Sequence, residues 1–312
     1  MTKANVKSAG NGLSSAGHRI GQVVGDWWEK SVVYPMLKNL ADEAGLFLDN
    51  RIVERGFRGG KVQWQDADGN AVDYDFVLEL NGSTEERGIP VAFFESFWRG
   101  GARHSKDKAR DDTNKLLPMR DTYATAKFLA IAACGEFTEP ARDYVRSRSV
   151  ELLFIPKKNI VAAFDMEGLA IEYPDHLAEE KKSALADELA QRFSGRLEEK
   201  VAQNLRDIAG ATAFKSFEQR VMGALSATPQ EIRITLVQMS QPSVFSSLEQ
   251  AADFLERPTF SFDGGEQCFT YEVTYSDGSE FSRTLGSIEA VKKMHDELAC
   301  LVIHMARVAG VN

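Results

Sequence analysis

The sequence has few cysteines and no long apolar run. Three of the 312 residues are cysteines, and they lie far apart as Cys134, Cys268 and Cys300. This spacing excludes a CxxC metal knuckle and a disulfide framework. No window approaches the roughly 18 apolar residues of a membrane-spanning helix, and the polar N-terminal stretch lacks the apolar segment of a signal peptide. We therefore expect a soluble, cytoplasmic protein with no membrane partner.

The chain also lacks an overall excess of positive charge. It has 37 Lys and Arg against 46 Asp and Glu, a net charge of −9, which by itself disfavours a nucleic-acid partner. The charge is uneven, however: residues 91–164 carry 13 cations against 9 anions, whereas residues 165–312 carry 14 against 24. The most basic run covers residues 99–110, and its positive field suits a phosphate backbone.

Periodicity and turn residues divide the chain into four parts. Residues 1–20, rich in Gly, Ser, Ala and Lys, predict a flexible arm. Residues 21–164 predict an α/β core that begins with an amphipathic helix over 23–48. The core continues with a hairpin and then alternates buried strands with helices; the strands are expected at 61–65, 71–80, 90–98, 127–134 and 150–155, and the helices at 105–117 and 140–148.

The remaining residues predict a helical segment over 165–225 and a small α/β unit over 226–312. In the last unit we expect a strand at 231–238, a helix at 247–255, a hairpin over 269–285 and a final helix at 288–308. The fold class is therefore α/β, with a mixed sheet flanked by helices.

Two carboxylates interrupt apolar strands of the core. Glu95 lies between phenylalanines in a nearly continuous apolar run, where an unpaired charge is costly. Asp75 lies in the strand before it. If the two strands are neighbours, their carboxylates can converge on one divalent cation, and oxygen ligands suit Mg²⁺. A metal-holding acidic pair beside fixed positive charge is what phosphodiester hydrolysis requires.

At these residues the chain resembles the PD-(D/E)XK nuclease superfamily. Asp75 matches its first acid within Asp-Tyr-Asp-Phe-Val-Leu, and Glu95 matches its second within Val-Ala-Phe-Phe-Glu. A Trp-Arg pair and a His-Ser-Lys string follow Glu95, as in a subgroup of restriction-type enzymes. The resemblance covers residues 23–164. It implies a restriction-endonuclease-like fold and a metal-dependent DNA endonuclease of restriction or anti-phage defence type.

The resemblance also implies roles for individual residues. Asp75, Glu95 and the main-chain carbonyl of Ser96 would bind Mg²⁺, for which Mn²⁺ can substitute. The basic residues that would contact DNA phosphate are Arg99, Arg103, His104 and Arg110. An additional acid from the first helix, Glu29 or Glu43, would complete the site. Because a double-strand cutter usually needs two active sites, we expect a homodimer that acts on duplex DNA.

One position departs from the superfamily pattern. The usual lysine, two residues after the second acid, is replaced by Phe97. A lysine of the following helix would then supply the charge, and Lys106 or Lys108 are the candidates. Lys106 is preferred slightly because it falls at the helix start nearest the strand end.

Other interpretations of the same residues remain open at this point. Asp75 could pair with a surface arginine, Glu95 could form a structural ion pair with Arg99 or Arg103, and the lysines could be solvated. The protein would then be a catalytically inactive nuclease-like binding or sensor subunit of a defence complex. A third possibility is an effector that senses a ligand through residues 165–312.

Overall fold

The first element of the protein is a helical rod that combines three segments. A computed structural model describes residues 15–174, 176–239, 241–257 and 268–310. Helix α1 (Ala16–Trp27) continues through a π-helical segment (Trp28–Val33) into α2 (Tyr34–Glu43). Ser15 caps α1 by accepting a hydrogen bond from the backbone N–H of His18 (3.3 Å).

The rod differs at both ends from the helix predicted over 23–48. Helix begins at Ala16, so residues 16–20 of the predicted arm are helical, and residues 1–14 lie outside the described residues. At the other end the helix stops at Glu43, and Gly45 has a φ of +62°, a left-handed conformation that suits glycine. Strand β1 (Phe47–Asn50) follows, which the helical pattern had concealed.

The rod packs on a mixed sheet of five strands. Besides β1, these are β4 (Phe76–Leu80), β5 (Ile89–Arg99), β6 (Phe128–Gly135) and β7 (Glu151–Pro156), in the order β1-β4-β5-β6-β7. Strand β4 is antiparallel to β1 and β5, whereas β5, β6 and β7 run parallel. The α/β class and the mixed sheet predicted from the sequence are confirmed.

The single strand predicted over 71–80 is broken at Asp75. Its first part, β3 (Ala71–Tyr74), pairs with β2 (Val62–Gln65) in a separate two-stranded sheet, as the predicted hairpin requires. Its second part, β4, belongs to the main sheet. Asp75 therefore lies at a junction where the chain leaves one sheet and enters another.

Helices cover both faces of the main sheet. Helices α3 (Ser105–Thr122) and α4 (Glu139–Ser147) cover one face, and Phe93 and Phe97 of β5 belong to the apolar core there. The helical rod covers the other face, together with α5 (Lys157–Asp165), α6 (Glu179–Arg192), α7 (Arg196–Ala209) and α8 (Ala211–Leu225). Phe94 and Trp98 pack on this second face. Successive residues of β5 thus face opposite layers, as in any strand.

The C-terminal residues form a second sheet with its own core. Strands β8 (Pro229–Leu236), β9 (Pro242–Phe245), β10 (Phe269–Tyr275) and β11 (Glu280–Leu285) are arranged in the order β11-β10-β8-β9. Helices α9 (Leu248–Leu255) and α10 (Ile288–Val308) pack on this sheet. The Tyr275 hydroxyl donates a hydrogen bond to the Ala124 carbonyl (2.9 Å), which joins the unit to the loop between α3 and β6. Among the described helices, none has the length and apolar character needed to cross a membrane.

Candidate active site

Strand pairing brings Asp75 and Glu95 to the same place. In the antiparallel pair β4–β5, Phe76 lies opposite Phe94 and Val77 opposite Phe93. The same register, continued by one residue past the start of β4, sets Asp75 opposite Glu95. Glu95 alternates with Phe93 and Phe97, so it lies on the face that α3 covers. Strand β4, which Asp75 directly precedes, is therefore the neighbour of the strand that carries Glu95, although Asp75 itself lies in a bend between β3 and β4.

Asp75 is buried, and its carboxylate contacts two donor groups. Its side chain accepts a hydrogen bond from the Ser96 backbone N–H (2.8 Å) at Oδ2 and forms an ion pair with Arg51 Nη2 (2.5 Å) at Oδ1. Arg51 follows β1, and its side chain is 45% exposed. The pairing of Asp75 with a surface arginine, one of the alternatives from the sequence, is therefore present.

Glu95 is more deeply buried than Asp75, with only 2% of its surface exposed. Lys115 Nζ of α3 lies 2.6 Å from Oε1, in a close ion pair. Burial raises the pKa of Glu95 to about 8; the charge of Asp75 adds to this effect and Lys115 opposes it. The alternative that Glu95 forms a buried ion pair is therefore present, but among the described residues its partner is Lys115 and neither Arg99 nor Arg103.

A third acid, Asp112 of α3, lies within electrostatic reach of the pair. It is 3% exposed, and Lys108 Nζ lies 2.6 Å from its Oδ1. Burial raises the pKa of Asp112, Lys108 opposes that shift, and the charge of Asp75 contributes to it. Sequence reasoning missed Asp112 because it belongs to a polar helix in which charged residues are numerous. The sequence feature that could have identified it is the four-residue spacing from Lys108, which places the two side chains next to each other on the helix.

The lysines of α3 occupy three different environments. Lys106 is exposed on the first turn. Lys108 contacts Asp112 and lies over the ring of Phe97, with Nζ 5.3 Å from the ring centre. Lys115, two turns beyond Lys108, is the lysine of this helix that reaches Glu95 within the described chain. The sequence prediction named Lys106 and Lys108 and missed Lys115.

Tyr74 supports the position of Lys115. Its hydroxyl donates a hydrogen bond to the Lys115 carbonyl (2.8 Å), and Lys115 Nζ lies 5.3 Å from the centre of its ring. Tyr74 is fully buried, and burial followed by the charge of Glu95 raises the pKa of its hydroxyl. The residue just before Asp75 therefore attaches α3 to the junction between the two sheets.

The two acids predicted from the first helix have different positions. Glu29, in the π-helical segment, is close enough to Asp75 for the two charges to interact. Burial, then Asp75, raises the pKa of Glu29, and Arg51 lowers it. Glu43 instead lines a separate cavity of about 1050 Å³ with residues of α7 and α8, and its charge raises the pKa of Glu218 there. The structure thus brings Glu29, and not Glu43, to Asp75.

The residues predicted to bind phosphate divide into two pairs. Arg99 and Arg103 line a cavity next to α1. His104 and Arg110 are exposed at the start of α3 and flank Asp107, with His104 Nδ1 3.2 Å and Arg110 Nη2 3.5 Å from its carboxylate. His104 has a φ of +63°, which turns the chain sharply into the helix. The basic run is therefore divided between the cavity and the start of α3.

The donor set is compatible with an oxygen-preferring cation. Asp75 and Glu95 carry the carboxylates, Ser96 adds a main-chain carbonyl, and Asp112 Oδ2 is buried without a hydrogen-bond partner. Within the described ranges no three His, Cys, Asp or Glu side chains are arranged to hold a metal together. The oxygen atoms of this part of the chain are thus carboxylate and main-chain oxygens, which are ligand types that Mg²⁺ prefers.

Comparison of the chain with protein-family models, with curated proteins and with solved structures gives no match.

Proposed function

We propose that the protein is a metal-dependent endonuclease that hydrolyses DNA phosphodiester bonds, of restriction or anti-phage defence type. The observation that carries the proposal is the proximity of Asp75, Glu95 and Lys115. One carboxylate directly precedes β4 and the other lies in the neighbouring strand β5, and an ammonium lies 2.6 Å from the second. Two acids and a lysine are the chemical groups that this reaction requires.

Each group has a distinct role in the proposed reaction. Asp75, Glu95 and the Ser96 carbonyl would hold Mg²⁺ or Mn²⁺, which when bound polarises a phosphoryl oxygen and lowers the pKa of bound water. Lys115 replaces the lysine that is absent at Phe97 and stabilises negative charge that develops on the phosphate. The half-exposed Arg51 lies on the solvent side of Asp75, where a phosphate can replace that carboxylate as its partner.

The topology of the main sheet supports the proposed likeness to restriction endonucleases. The acids are on the antiparallel part, β4 and β5, and the parallel part, β5 to β7, is covered by α3 and α4 on the face that Glu95 shares. His104 and Arg110 are exposed on the same helix as Lys115 and would contact DNA phosphate. Duplex cleavage by a homodimer remains part of the proposal, and sedimentation of the protein with and without DNA tests it.

A plasmid-cleavage assay tests the activity. Supercoiled DNA is incubated with the protein and Mg²⁺ or Mn²⁺, and with EDTA in parallel. We expect cleavage by the unaltered protein and loss of cleavage in Asp75→Asn, Glu95→Gln and Lys115→Met. The matched controls are Asp143→Asn and Lys158→Met, which change exposed residues of α4 and α5. Cleavage that persists in the Asp75→Asn, Glu95→Gln double variant would falsify the assignment.

A second candidate function is that of an inactive binding or sensor subunit. Phe97 at the usual lysine position favours it, as does the pairing of Asp75 with Arg51. Calorimetric titration with Mg²⁺ and Mn²⁺ distinguishes the two functions. An active site binds the cation and loses that binding in Asp75→Asn, whereas an inactive subunit shows no binding that depends on Asp75.

A further inference from the structure

A cavity of about 850 Å³ lies on the sheet face opposite Glu95. Its walls come from α1, from the end of β5 with the loop that follows, and from the start of α5 with the segment after that helix. Trp98 marks the face, because it alternates with the inward-facing Phe97 and packs with the core beneath α1. The volume is within the range of cavities that enclose small organic ligands.

The cavity has an excess of positive charge. Arg99, Arg103 and Lys157 line it, and Glu172 is its one carboxylate. Glu172 is already neutralised by Lys157, at 2.5 Å. Within the described part of the chain neither guanidinium, of Arg99 or of Arg103, lies within ion-pair distance of a carboxylate. Two arginines without anionic partners favour an anionic ligand, and their planar donors suit phosphate.

Aromatic side chains lie beside these arginines. The indole of Trp98 borders the cavity, and a Cβ on Gly100 would lie 3.7 Å from its Nε1. Tyr173 also lines the cavity, and a Cβ on Gly17 would lie 2.4 Å from its hydroxyl oxygen. Gly17 therefore permits the close contact of Tyr173 with α1. Planar rings next to guanidinium groups suit a ligand that combines an aromatic ring with an anionic group.

We propose that this cavity binds a nucleotide, with the phosphate at Arg99 and Arg103 and the base against Trp98. An acidic peptide would use the arginines but would not require the indole. The chain's own first 14 residues are a poor occupant, because they contain two lysines and no carboxylate and so cannot neutralise the arginines. The nucleotide is either free in solution or part of a nucleic-acid strand; the two sources share this chemistry.

This inference goes beyond the proposed hydrolysis and does not require it. Neither Asp75 nor Glu95 lines the cavity, so nucleotide binding can be measured without a divalent cation and without cleavage. Failure of the endonuclease assay would leave the cavity unaffected, and absence of nucleotide binding would not exclude cleavage.

Isothermal titration calorimetry in EDTA tests the proposal with three probes: ATP, a 5′-phosphorylated oligothymidylate and inorganic pyrophosphate. We expect Arg99→Ala and Arg103→Ala each to weaken binding of the nucleotide probes about tenfold or more, because each removes a charge-assisted hydrogen bond. Trp98→Ala should weaken the nucleotide probes by about tenfold, from loss of stacking, and leave pyrophosphate unchanged. Arg146→Ala, on α4, is the matched control and should bind as the unaltered protein does.

The three probes distinguish a free nucleotide from a nucleotide in a nucleic-acid strand, and both from a simple anion. Tight ATP binding identifies a free nucleotide, and binding of the oligonucleotide alone identifies a strand; both support the proposal if Arg103→Ala weakens them. Since Arg103 is exposed, this variant should fold normally, which circular dichroism checks. The proposal is overturned if neither nucleotide probe binds at millimolar concentration. It is also overturned if pyrophosphate binds as tightly as ATP and Trp98→Ala changes neither.

Discussion

The ammonium of Lys108 lies over the ring of Phe97, 5.3 Å from its centre. Phe97, at the position where the proposed nuclease site would be expected to have a lysine, therefore has a cation at its face. Lys108 is also neutralised by Asp112, at 2.6 Å. Its charge is shared between a ring and a carboxylate, which leaves Lys115 as the α3 lysine whose charge is directed at Glu95.

The first prediction concerns the different roles of the lysines of α3. Lys115→Met should lower the rate of DNA cleavage by about 10²–10³-fold, the typical loss when one group that stabilises transition-state charge is removed. Lys106→Met should have a far smaller effect, because Lys106 is exposed on the first turn of α3. Single-turnover cleavage, with thermal midpoints to check folding, measures both variants. A loss in Lys106→Met equal to that in Lys115→Met would contradict the assignment.

The second prediction follows from the raised pKa of Glu95. Its carboxyl has a pKa of about 8 in the folded protein and an ordinary lower value when unfolded. Between these values the folded state binds more protons, so this group makes the free energy of unfolding fall as pH rises. Glu95→Gln removes the effect. We therefore expect the variant's thermal midpoint, relative to the unaltered protein in EDTA, to rise more at pH 8.5 than at pH 5.

A control accompanies the measurement on Glu95. Glu139→Gln removes an acidic residue in the first turn of α4, outside the buried acid pair. This variant should show no comparable change with pH. An equal shift of the midpoint at both pH values in Glu95→Gln would contradict the raised pKa.

The third prediction concerns Lys127, where the two sheets meet. Its ammonium contacts the ring of Tyr275, and burial lowers its pKa to about 7, opposed by Asp277. Because the unfolded state binds more protons between about pH 7 and the ordinary lysine pKa, this group makes stability rise with pH in that window. Lys127→Met should therefore stabilise the protein more at pH 6 than at pH 9. Urea unfolding at the two pH values measures the difference, and a pH-independent effect would count against it.

The fourth prediction concerns a buried ion-pair network beside the candidate site. Arg55 has no exposed side-chain surface and lies 2.6 Å from Glu79 and 2.9 Å from Asp49. Arg55→Met leaves the buried Glu79 without its ion-pair partner, while Asp49 keeps Arg58 at 2.5 Å. We therefore expect a loss of about 3–5 kcal/mol in the free energy of unfolding. Urea denaturation measures it. Arg146→Met, at an exposed position, should change the free energy of unfolding by less than about 0.5 kcal/mol. A loss this small in Arg55→Met as well would show that the network contributes little to stability.

The C-terminal unit shows what sequence patterns predict well. Strands Phe269–Tyr275 and Glu280–Leu285 and helix Ile288–Val308 agree with the predicted hairpin and final helix. Alternation of apolar and polar residues defines these strands, and Ser287 caps the helix by accepting a hydrogen bond from Ala290 N–H. These signals are local, and so the sequence contains them in full.

The candidate site was only partly predictable, because part of it depends on packing between distant elements. Asp75 and Glu95 are recognisable as charges within apolar strands. The contact between Lys115 and Glu95 depends on how α3 lies across the sheet, and Arg51 reaches Asp75 from a loop whose course no periodicity describes. The break at Asp75 was also hidden, since alternation continues through it while the hydrogen-bond partners change from β2 to β1 and β5.

The π-helical segment helps to determine which side of the first helical rod faces the sheet. The buried residues Trp28, Val32, Met36, Leu40 and Ala44 follow one another in steps of four. In a regular α-helix each such step overshoots a full turn by about 40°, so a line of these residues would spiral away from the sheet. The wider turn of a π-helix absorbs part of the overshoot near its start. The rod can thereby keep an apolar line against the sheet and still direct Glu29 towards Asp75.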